Sequence, residues 1–269
     1  MMTGPLILGA SSRVGQMLHH LWAAGVLDFG DDPLWQYRRD GADQADHKII
    51  WDMCADPAPD ISPTGVICLA GPTSGPDLDV NTDLALAAAD VANGAPLLFA
   101  STQAVYGPQA GLLTESSPCQ PGPYGAAKLA AEAILHDLPS ATCLRIANII
   151  GADALLMSAA RGPVTLDRFP DGQSPKRMMI GPLVLGRALV DLLAKEQIAA
   201  PVLNLAQPGL IAMTDMLRAL DHDWTWKDAP ETAIPSLEID ITAVQDLIDL
   251  PCADPVDLIT QARLAGWDA

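Results

Sequence analysis

Short apolar runs alternate with helix-like segments through the first 150 residues of this 269-residue chain. The runs are PLILGA, PLWQYR, HKIIWD, GVICLAG, PLLFAST and ATCLRIANIIG, and helical patterns cover 12–24, 79–93 and 124–137. Strands that alternate with helices favour βαβ units, in which parallel strands are covered by helices. We therefore predict an α/β fold with a Rossmann-like, doubly wound parallel sheet.

The pattern loosens after residue 151, where a Pro/Gly-rich segment precedes a helix at 183–196, a short strand and a helix at 213–221. We expect residues 1–150 to form the main domain and residues 151–269 to form a smaller lobe, partly interwoven with the sheet. Open α/β folds bind ligands at the carboxyl edge of the sheet, so we expect the lobe to pack there.

The charge balance limits the classes of partner. The chain has 15 Lys and Arg against 33 Asp and Glu, a formal net charge of -18, which repels nucleic-acid phosphates and anionic membrane surfaces.

Five scattered cysteines form no Cys-x-x-Cys pair, which indicates neither a disulfide framework nor a zinc site. No apolar stretch has the length of a membrane span or a signal peptide. We expect a cytoplasmic protein that binds no nucleic acid, membrane or metal.

The loop LILGASSRVGQ (6–16) connects the first strand to the first helix. Gly9 permits a tight turn, Gly15 permits close packing of the helix on the strand, and a helix beginning at Ser11 or Ser12 presents free N–H groups to a phosphate. A phosphate-binding loop commonly has a glycine where Ser12 stands. An ordinary strand-to-helix turn with a serine N-cap explains the same residues, so the loop alone leaves both interpretations open.

A second motif, STQAVYG, follows the strand PLLFA directly, and YGAAK begins 17 residues after Gly107. Tyr124 and Lys128 are then one helical turn apart and project from one face. A lysine ammonium beside a tyrosine stabilises phenolate and lowers the tyrosine pKa, which suits proton transfer near neutral pH. The hydroxyl of Thr102 would complete a set that polarises a carbonyl or alcohol. In isolation, a Tyr-x-x-x-Lys pair is more often a surface pair.

Together these motifs resemble the extended short-chain dehydrogenase/reductase superfamily, specifically its NAD(P)-dependent nucleotide-sugar epimerase, dehydratase and reductase group. GASSRVG is similar to the family's G-x-x-G-x-x-G loop, TQAVYG with YGAAK to its catalytic Ser/Thr, Tyr and Lys, and LRIANIIG to the L-R-x-x-N-x-x-G segment that opens the substrate lobe. IIWDM, CLAG, DVNTDLALAAA and DGQSPKRMMI add four weaker likenesses in the family's order. The departures are Ser12, Val184 in place of an aspartate, and a short substrate lobe.

The resemblance implies roles for particular residues. Tyr124 would be the general acid/base, Lys128 would lower its pKa and bind the nicotinamide ribose, and Thr102 would orient the substrate oxygen. The first 150 residues would hold the dinucleotide through Gly9, Ser11, Ser12, Arg13, Val14, Gly15, Arg38, Arg39, Asp52, Met53, Leu69, Ala70, Gly71, Tyr124 and Lys128. The substrate would contact Thr102, Gln103, Asn148 and Arg177, the last at a nucleotide diphosphate.

Arg38 and Arg39 stand about where NAD-binding proteins carry an acidic residue for the ribose 2′-OH. Arginines there suit a 2′-phosphate, and Arg13 would add a further positive charge, so the predicted cofactor is NADP. Two alternatives stay open. Arg38 and Arg39 could be solvated loop residues, or Asp40 could be the ribose ligand, which would favour NAD.

Sugar 4,6-dehydratases have a sequence similar to TDEVYG at the position of TQAVYG, with an acid and a base that drive water elimination. This chain has Gln103 and Ala104 at those two positions, and neither side chain can transfer a proton. We therefore predict an epimerase or a reductase acting by hydride transfer on a sugar-like carbinol or ketone, with the NADP preference mildly favouring reduction. Ser12, Val184 and the short lobe motivate the alternative of a non-catalytic dinucleotide-binding sensor or regulator. The alanine-rich helices could pack in a homodimer or simply cover the sheet.

Overall fold

The computed structural model describes residues 4–40 and 47–268. The strands are β1 (Leu6–Leu8), β2 (Leu34–Tyr37), β3 (Lys48–Ile50), β4 (Val66–Cys68), β5 (Leu97–Thr102), β6 (Leu112–Leu113), β7 (Ala141–Ile146), β8 (Asn148–Ile149), β9 (Val164–Arg168), β10 (Lys176–Arg177), β11 (Met179–Ile180), β12 (Val202–Leu205), β13 (Ile211–Ala212), β14 (Trp224–Asp228) and β15 (Ser236–Ile239). The helices are α1 (Arg13–Ala23), α2 (Val80–Ala92), α3 (Pro123–Leu135), α4 (Ala154–Ala159), α5 (Pro182–Leu193), α6 (Met213–Ala219), α7 (Thr242–Gln245) and α8 (Pro255–Leu264), with a 3₁₀ turn at Gln103–Val105.

Seven strands form one central sheet in the order β12-β7-β5-β4-β1-β2-β3. Every neighbouring pair in this sheet is parallel. The strand order reverses between β1 and β4, so the sheet winds outward in both directions from that point, as in a Rossmann fold. The predicted fold class is confirmed. One outer strand, β12, comes from beyond residue 151, so the second part of the chain completes this sheet.

The two faces of the sheet carry separate apolar clusters. Alternate strand residues point to opposite faces, so Ile7 and Ile67 belong to one cluster while their neighbours Leu6 and Val66 belong to the other. Helices α1 and α5 cover the first face, and the alanine-rich α2 and α3 pack closely on the second. The carboxyl ends of β1, β4, β5 and β7 lie at a common edge of the buried sheet. Many of the predicted site residues lie at or directly after these strand ends.

A third apolar cluster contains residues of α4, α6 and α8, with Leu156, Met216 and Leu258 fully buried. Short strands form three further sheets: a four-stranded sheet in the order β13-β10-β15-β6, and the pairs β11-β8 and β14-β9. The predicted division into a main domain and a smaller lobe stays a prediction. Among the described residues, no helix combines the length and apolar character needed to cross a membrane.

Candidate active site

The loop from β1 to α1 is held from both sides. Gly9 has a positive φ of 82°, and a Cβ there would lie 2.7 Å from the backbone nitrogen of Ala70. Only glycine fits such a turn against a neighbouring strand. Ser12 is the N-cap of α1, and its Oγ accepts a hydrogen bond from Gly15 N at 3.0 Å. The serine therefore caps the helix, and the other N–H groups of its first turn remain available to an anion.

A buried glutamine, which the sequence reasoning missed, fixes this loop to the sheet. Gln36 on β2 accepts a hydrogen bond from Gly9 N at 2.8 Å and donates one to Trp51 O at 2.6 Å. Gln36 is buried in an otherwise apolar strand. The sequence offers one sign of this role: Gln36 is a polar residue inside the apolar run LWQY, and a buried amide requires hydrogen-bond partners.

A cleft of about 780 Å³ opens at the carboxyl edge of the sheet. Among its lining residues are these predicted site residues: Ser12, Arg13, Val14, Leu69, Gly71, Thr102, Tyr124, Lys128 and Asn148. The remaining predicted residues do not line it: Gly9, Ser11, Gly15, Arg38, Arg39, Asp52, Met53, Ala70, Gln103 and Arg177. The fold therefore gathers the candidate catalytic set in one cavity.

Tyr124, at the start of α3, faces Thr102, at the end of β5. Burial raises the pKa of Tyr124, and a hydrogen bond with the Thr102 side chain opposes that rise. Thr102 Oγ1 also accepts from Ala104 N at 3.1 Å, which fixes the hydroxyl at the strand end. The predicted lowering of the Tyr124 pKa by Lys128 stays a prediction.

Lys128 is a buried cation in the wall of the cleft. It is 4% exposed, its Nζ lies 4.7 Å from the centroid of the Phe99 ring, and burial lowers its pKa. Among the described residues, no carboxylate lies within ion-pair distance of its ammonium group. A buried charge without an ion pair is costly, so its place beside a ligand cleft indicates a functional position.

Gly71 lines the cleft next to Lys128, and Asn81 is buried against Gly71. Gly71 has a positive φ of 138°, and a Cβ there would overlap the amide oxygen of Asn81 and lie 3.2 Å from Lys128 Nζ. Asn81 Nδ2 donates to Leu78 O at 2.8 Å, while its Oδ1 is buried and has no hydrogen-bond partner in the described part of the chain. An unpartnered buried acceptor beside a buried lysine suits a ligand with hydroxyl groups.

Gln103 lies behind Asn148 at the other side of the cleft. Its Nε2 donates to Asn148 Oδ1 at 2.9 Å, and its Oε1 is buried without a partner in the range that the structure describes. Asn148 itself lines the cleft. With its oxygen engaged, the amide nitrogen of Asn148 is the group left to donate to a ligand.

The predicted cationic residues are not gathered in one place. Arg38 and Arg39 are exposed directly after β2, and the neighbouring Asp40 binds Lys48 at 2.6 Å. Arg13 instead lines the cleft and an adjoining cavity of about 620 Å³. The Arg177 guanidinium donates to Lys176 O at 2.7 Å and to Ile234 O at 3.3 Å. Arg38, Arg39 and Arg177 line neither of these two cavities.

Asp52 and Met53 lie in the turn after β3. Asp52 Oδ1 accepts from Cys54 N at 3.2 Å, and its own N–H donates to Asp56 Oδ2 at 3.1 Å. The Met53 side chain is buried with the apolar residues under α2. Both residues therefore stabilise the turn, and their contacts with an adenine stay predicted.

The doubly wound sheet, with Thr102, Tyr124 and Lys128 at one end of its strands, defines a Rossmann-like α/β protein. More particularly, residues 58–176 match the model of the NAD dependent epimerase/dehydratase family. That segment carries the three candidate catalytic residues, and it confirms the resemblance found in the sequence. A comparison with curated protein sequences found no match.

Solved structures show the same fold at low sequence identity. UDP-glucose 4-epimerase from Brucella ovis in complex with NAD superposes with a TM-score of 0.76 at 19% identity, over 99% of this chain and 99% of that chain. UDP-glucuronic acid 4-epimerase from Bacillus cereus, in complex with UDP-glucuronic acid and NAD, has a TM-score of 0.73 at 17% identity, over 98% and 99%. UDP-glucose 4-epimerase from Bifidobacterium longum, in complex with NAD+ and UDP, has 0.72 at 18%, over 98% and 97%.

Proposed function

We propose that this protein is an NAD(P)-dependent epimerase or reductase that transfers hydride between the nicotinamide and a carbinol or ketone carbon of a sugar or nucleotide sugar. The observation that carries the proposal is that Thr102, Tyr124 and the buried Lys128 line one cleft. The family-model match over 58–176 supports the same class of reaction. The two hydroxyl groups and the ammonium provide proton transfer, orientation and charge at one place.

Each residue would have a separate task. Thr102 Oγ1 would hold the substrate oxygen, and Tyr124 would take the proton from that oxygen during oxidation and return it during reduction. The Lys128 ammonium, one helical turn from Tyr124 on α3, would stabilise the Tyr124 phenolate and bind ribose hydroxyl groups. Asn148 Nδ2 would donate to the substrate from the opposite wall. Proton transfer therefore needs no acid or base beyond Tyr124.

The residues present fit a dinucleotide. The N–H groups at the start of α1 suit a pyrophosphate, and Lys128 with the unpartnered Asn81 Oδ1 suits ribose hydroxyl groups. When bound, the nicotinamide would supply or accept the hydride. The chain would hold the dinucleotide through the residues around Ser12, Gly71 and Lys128.

The choice between NAD and NADP has support on both sides. The exposed Arg38 and Arg39 after β2 favour NADP, and the engagement of Asp40 by Lys48 weakens its case as the ribose ligand. The neighbouring structures named above carry NAD, which favours NAD. The predicted preference for NADP rests on Arg38 and Arg39, with Arg13 as a further positive charge.

A nucleotide sugar is the proposed substrate class, since UDP-sugars occupy several structures of the same fold. Gln103 is buried against Asn148, and Ala104 has no titratable group, so we infer that water elimination is not part of the reaction. A homodimer through α2 and α3, where Leu86 is 55% exposed, and a cytoplasmic location stay predictions.

Titration calorimetry with NAD and NADP, followed by assays with a panel of UDP-sugars, tests the proposal. The Tyr124→Phe variant should bind the dinucleotide as the parent protein does and lose turnover by at least about a hundredfold, the usual contribution of a general acid/base. Thr165→Ala, remote from the cleft, is the matched control that should keep both properties. Full turnover by Tyr124→Phe would contradict the proposal. Dinucleotide binding without turnover of any sugar would favour the non-catalytic sensor.

A further inference from the structure

A buried ion pair lies behind the candidate site. Glu132 on α3 and Arg145 on β7 are 4% and 5% exposed. Arg145 Nη2 donates to Glu132 Oε2 at 2.8 Å, and Arg145 Nε lies 3.2 Å from each carboxylate oxygen. Charges this deeply buried remain ionised only when they are paired and hydrogen-bonded.

The carboxylate connects the two elements that carry the site. Ser101 Oγ donates to Glu132 Oε1, and Ser101 immediately precedes Thr102 on β5. Glu132 follows Lys128 by four residues and Tyr124 by eight, so all three side chains lie along one side of α3. In the sheet register, Ser101 is opposite Arg145. Strand β5 and helix α3 are therefore joined at one carboxylate.

The same network continues away from the site. Arg145 Nη1 donates to Tyr106 Oη at 3.1 Å, and Tyr106 Oη donates to Asn204 Oδ1 on β12 at 2.6 Å. Tyr106 is fully buried and has no hydrogen bond to Glu132 or Ser101. It is thus a member of the network that can be altered without touching the carboxylate.

The titratable groups around Lys128 include one buried carboxylate, Glu132. The titratable groups facing Lys128 are Cys68 on β4, Cys143 on β7 and Glu132 on α3. Burial raises the pKa of Cys68 to about 11 and that of Cys143 to about 12, so both thiols are uncharged at neutral pH. Glu132 is then the anion among them, with Arg145 paired to it.

We propose that Glu132 is a positioning residue, which with Ser101 and Arg145 holds Thr102 against Tyr124 and places a negative charge one helical turn from Lys128. The proposal rests on the function proposed above, because that function makes Thr102, Tyr124 and Lys128 the proton-handling set. Loss of the carboxylate would release the end of β5, weaken the Thr102 hydrogen bond and remove the charge that favours the Lys128 ammonium. Weakening of the Thr102 hydrogen bond raises the pKa of Tyr124.

The test is an ultraviolet titration of the Tyr124 phenol in the full-length protein, without substrate or cofactor. The chain has 3 tyrosines, so each variant is compared with the same variant carrying Tyr124→Phe, and the difference isolates Tyr124. Glu132→Gln and Ser101→Ala should raise the Tyr124 midpoint by on the order of one pH unit, the equivalent of one lost hydrogen bond. Glu132→Asp should restore part of the parent midpoint. Tyr106→Phe should leave it unchanged.

A purely structural Glu132 would give a different result. Glu132→Gln and Tyr106→Phe would then both lower the melting temperature, with the Tyr124 midpoint unmoved in both, which overturns the proposal. If Glu132→Gln does not fold, Ser101→Ala decides the question because it keeps the ion pair, and an unmoved midpoint there also overturns it. Since the titration uses no substrate, failure of this proposal is distinguishable from failure of the proposed activity.

Discussion

Replacing Arg145 by methionine is expected to cost about 3–5 kcal/mol of unfolding free energy, because it leaves a buried carboxylate without its partner. The size follows from the contacts: Arg145 is 5% exposed, and the change removes its hydrogen bonds to Glu132, together with those to Tyr106 Oη and Glu115 O. Urea unfolding followed by circular dichroism gives the difference from the parent protein.

The double variant Glu132→Leu with Arg145→Met is the control for this prediction. A well-packed apolar pair often replaces a buried ion pair at little cost, so the double variant should be more stable than Arg145→Met alone. A loss below about 1 kcal/mol in the single variant would indicate a solvated pair and would refute the reasoning. A double variant no more stable than the single one would refute it as well.

Two further variants test dinucleotide binding. Gly71→Ala should unfold more easily and bind dinucleotide at least about tenfold more weakly than Gly75→Ala, because both positions have positive φ but only at Gly71 would a Cβ meet Asn81 and Lys128. Calorimetry and thermal melting compare the two variants, and equal behaviour would contradict the proposed contribution of Gly71 to dinucleotide binding. Replacing both Arg38 and Arg39 by alanine should weaken NADP binding by about tenfold or more, the scale of one lost charge-assisted hydrogen bond, while leaving NAD binding unchanged. Tighter binding of NAD than of NADP by the parent protein would show that the predicted preference is wrong.

The central sheet could be predicted from the sequence because its strands are buried on both faces and read as continuous apolar runs. The helix patterns at 79–93 and 124–137 correspond closely to α2 and α3. Strands β14 and β15 lie in a stretch with no readable period. β14 pairs with β9, some 60 residues earlier in the chain, through the register Trp224 with Val164. Pairing of short strands over such separations leaves little local signal.

The candidate catalytic residues could be predicted because a strand end and one helical turn determine their relative positions locally. Tyr124, Lys128 and Thr102 accordingly lie in one cleft. The network behind them could not be predicted in the same way. Glu132, Arg145 and Asn204 lie on three different elements, and no sequence motif distinguishes them from other polar residues. Only the folded sheet brings them together. Tertiary packing, which no local pattern encodes, decides those partners.

The most direct test of the hydride-transfer claim is the appearance of reduced nicotinamide when the dinucleotide-loaded protein meets UDP-sugars. The substrate carries deuterium at the carbinol carbon to be oxidised. We predict transient near-ultraviolet absorbance of reduced nicotinamide, with the deuterium recovered on the cofactor or on the returned sugar carbon, and neither signal with Tyr124→Phe. Sugar conversion with the deuterium lost to solvent, or without any reduced nicotinamide, would contradict hydride transfer at this site.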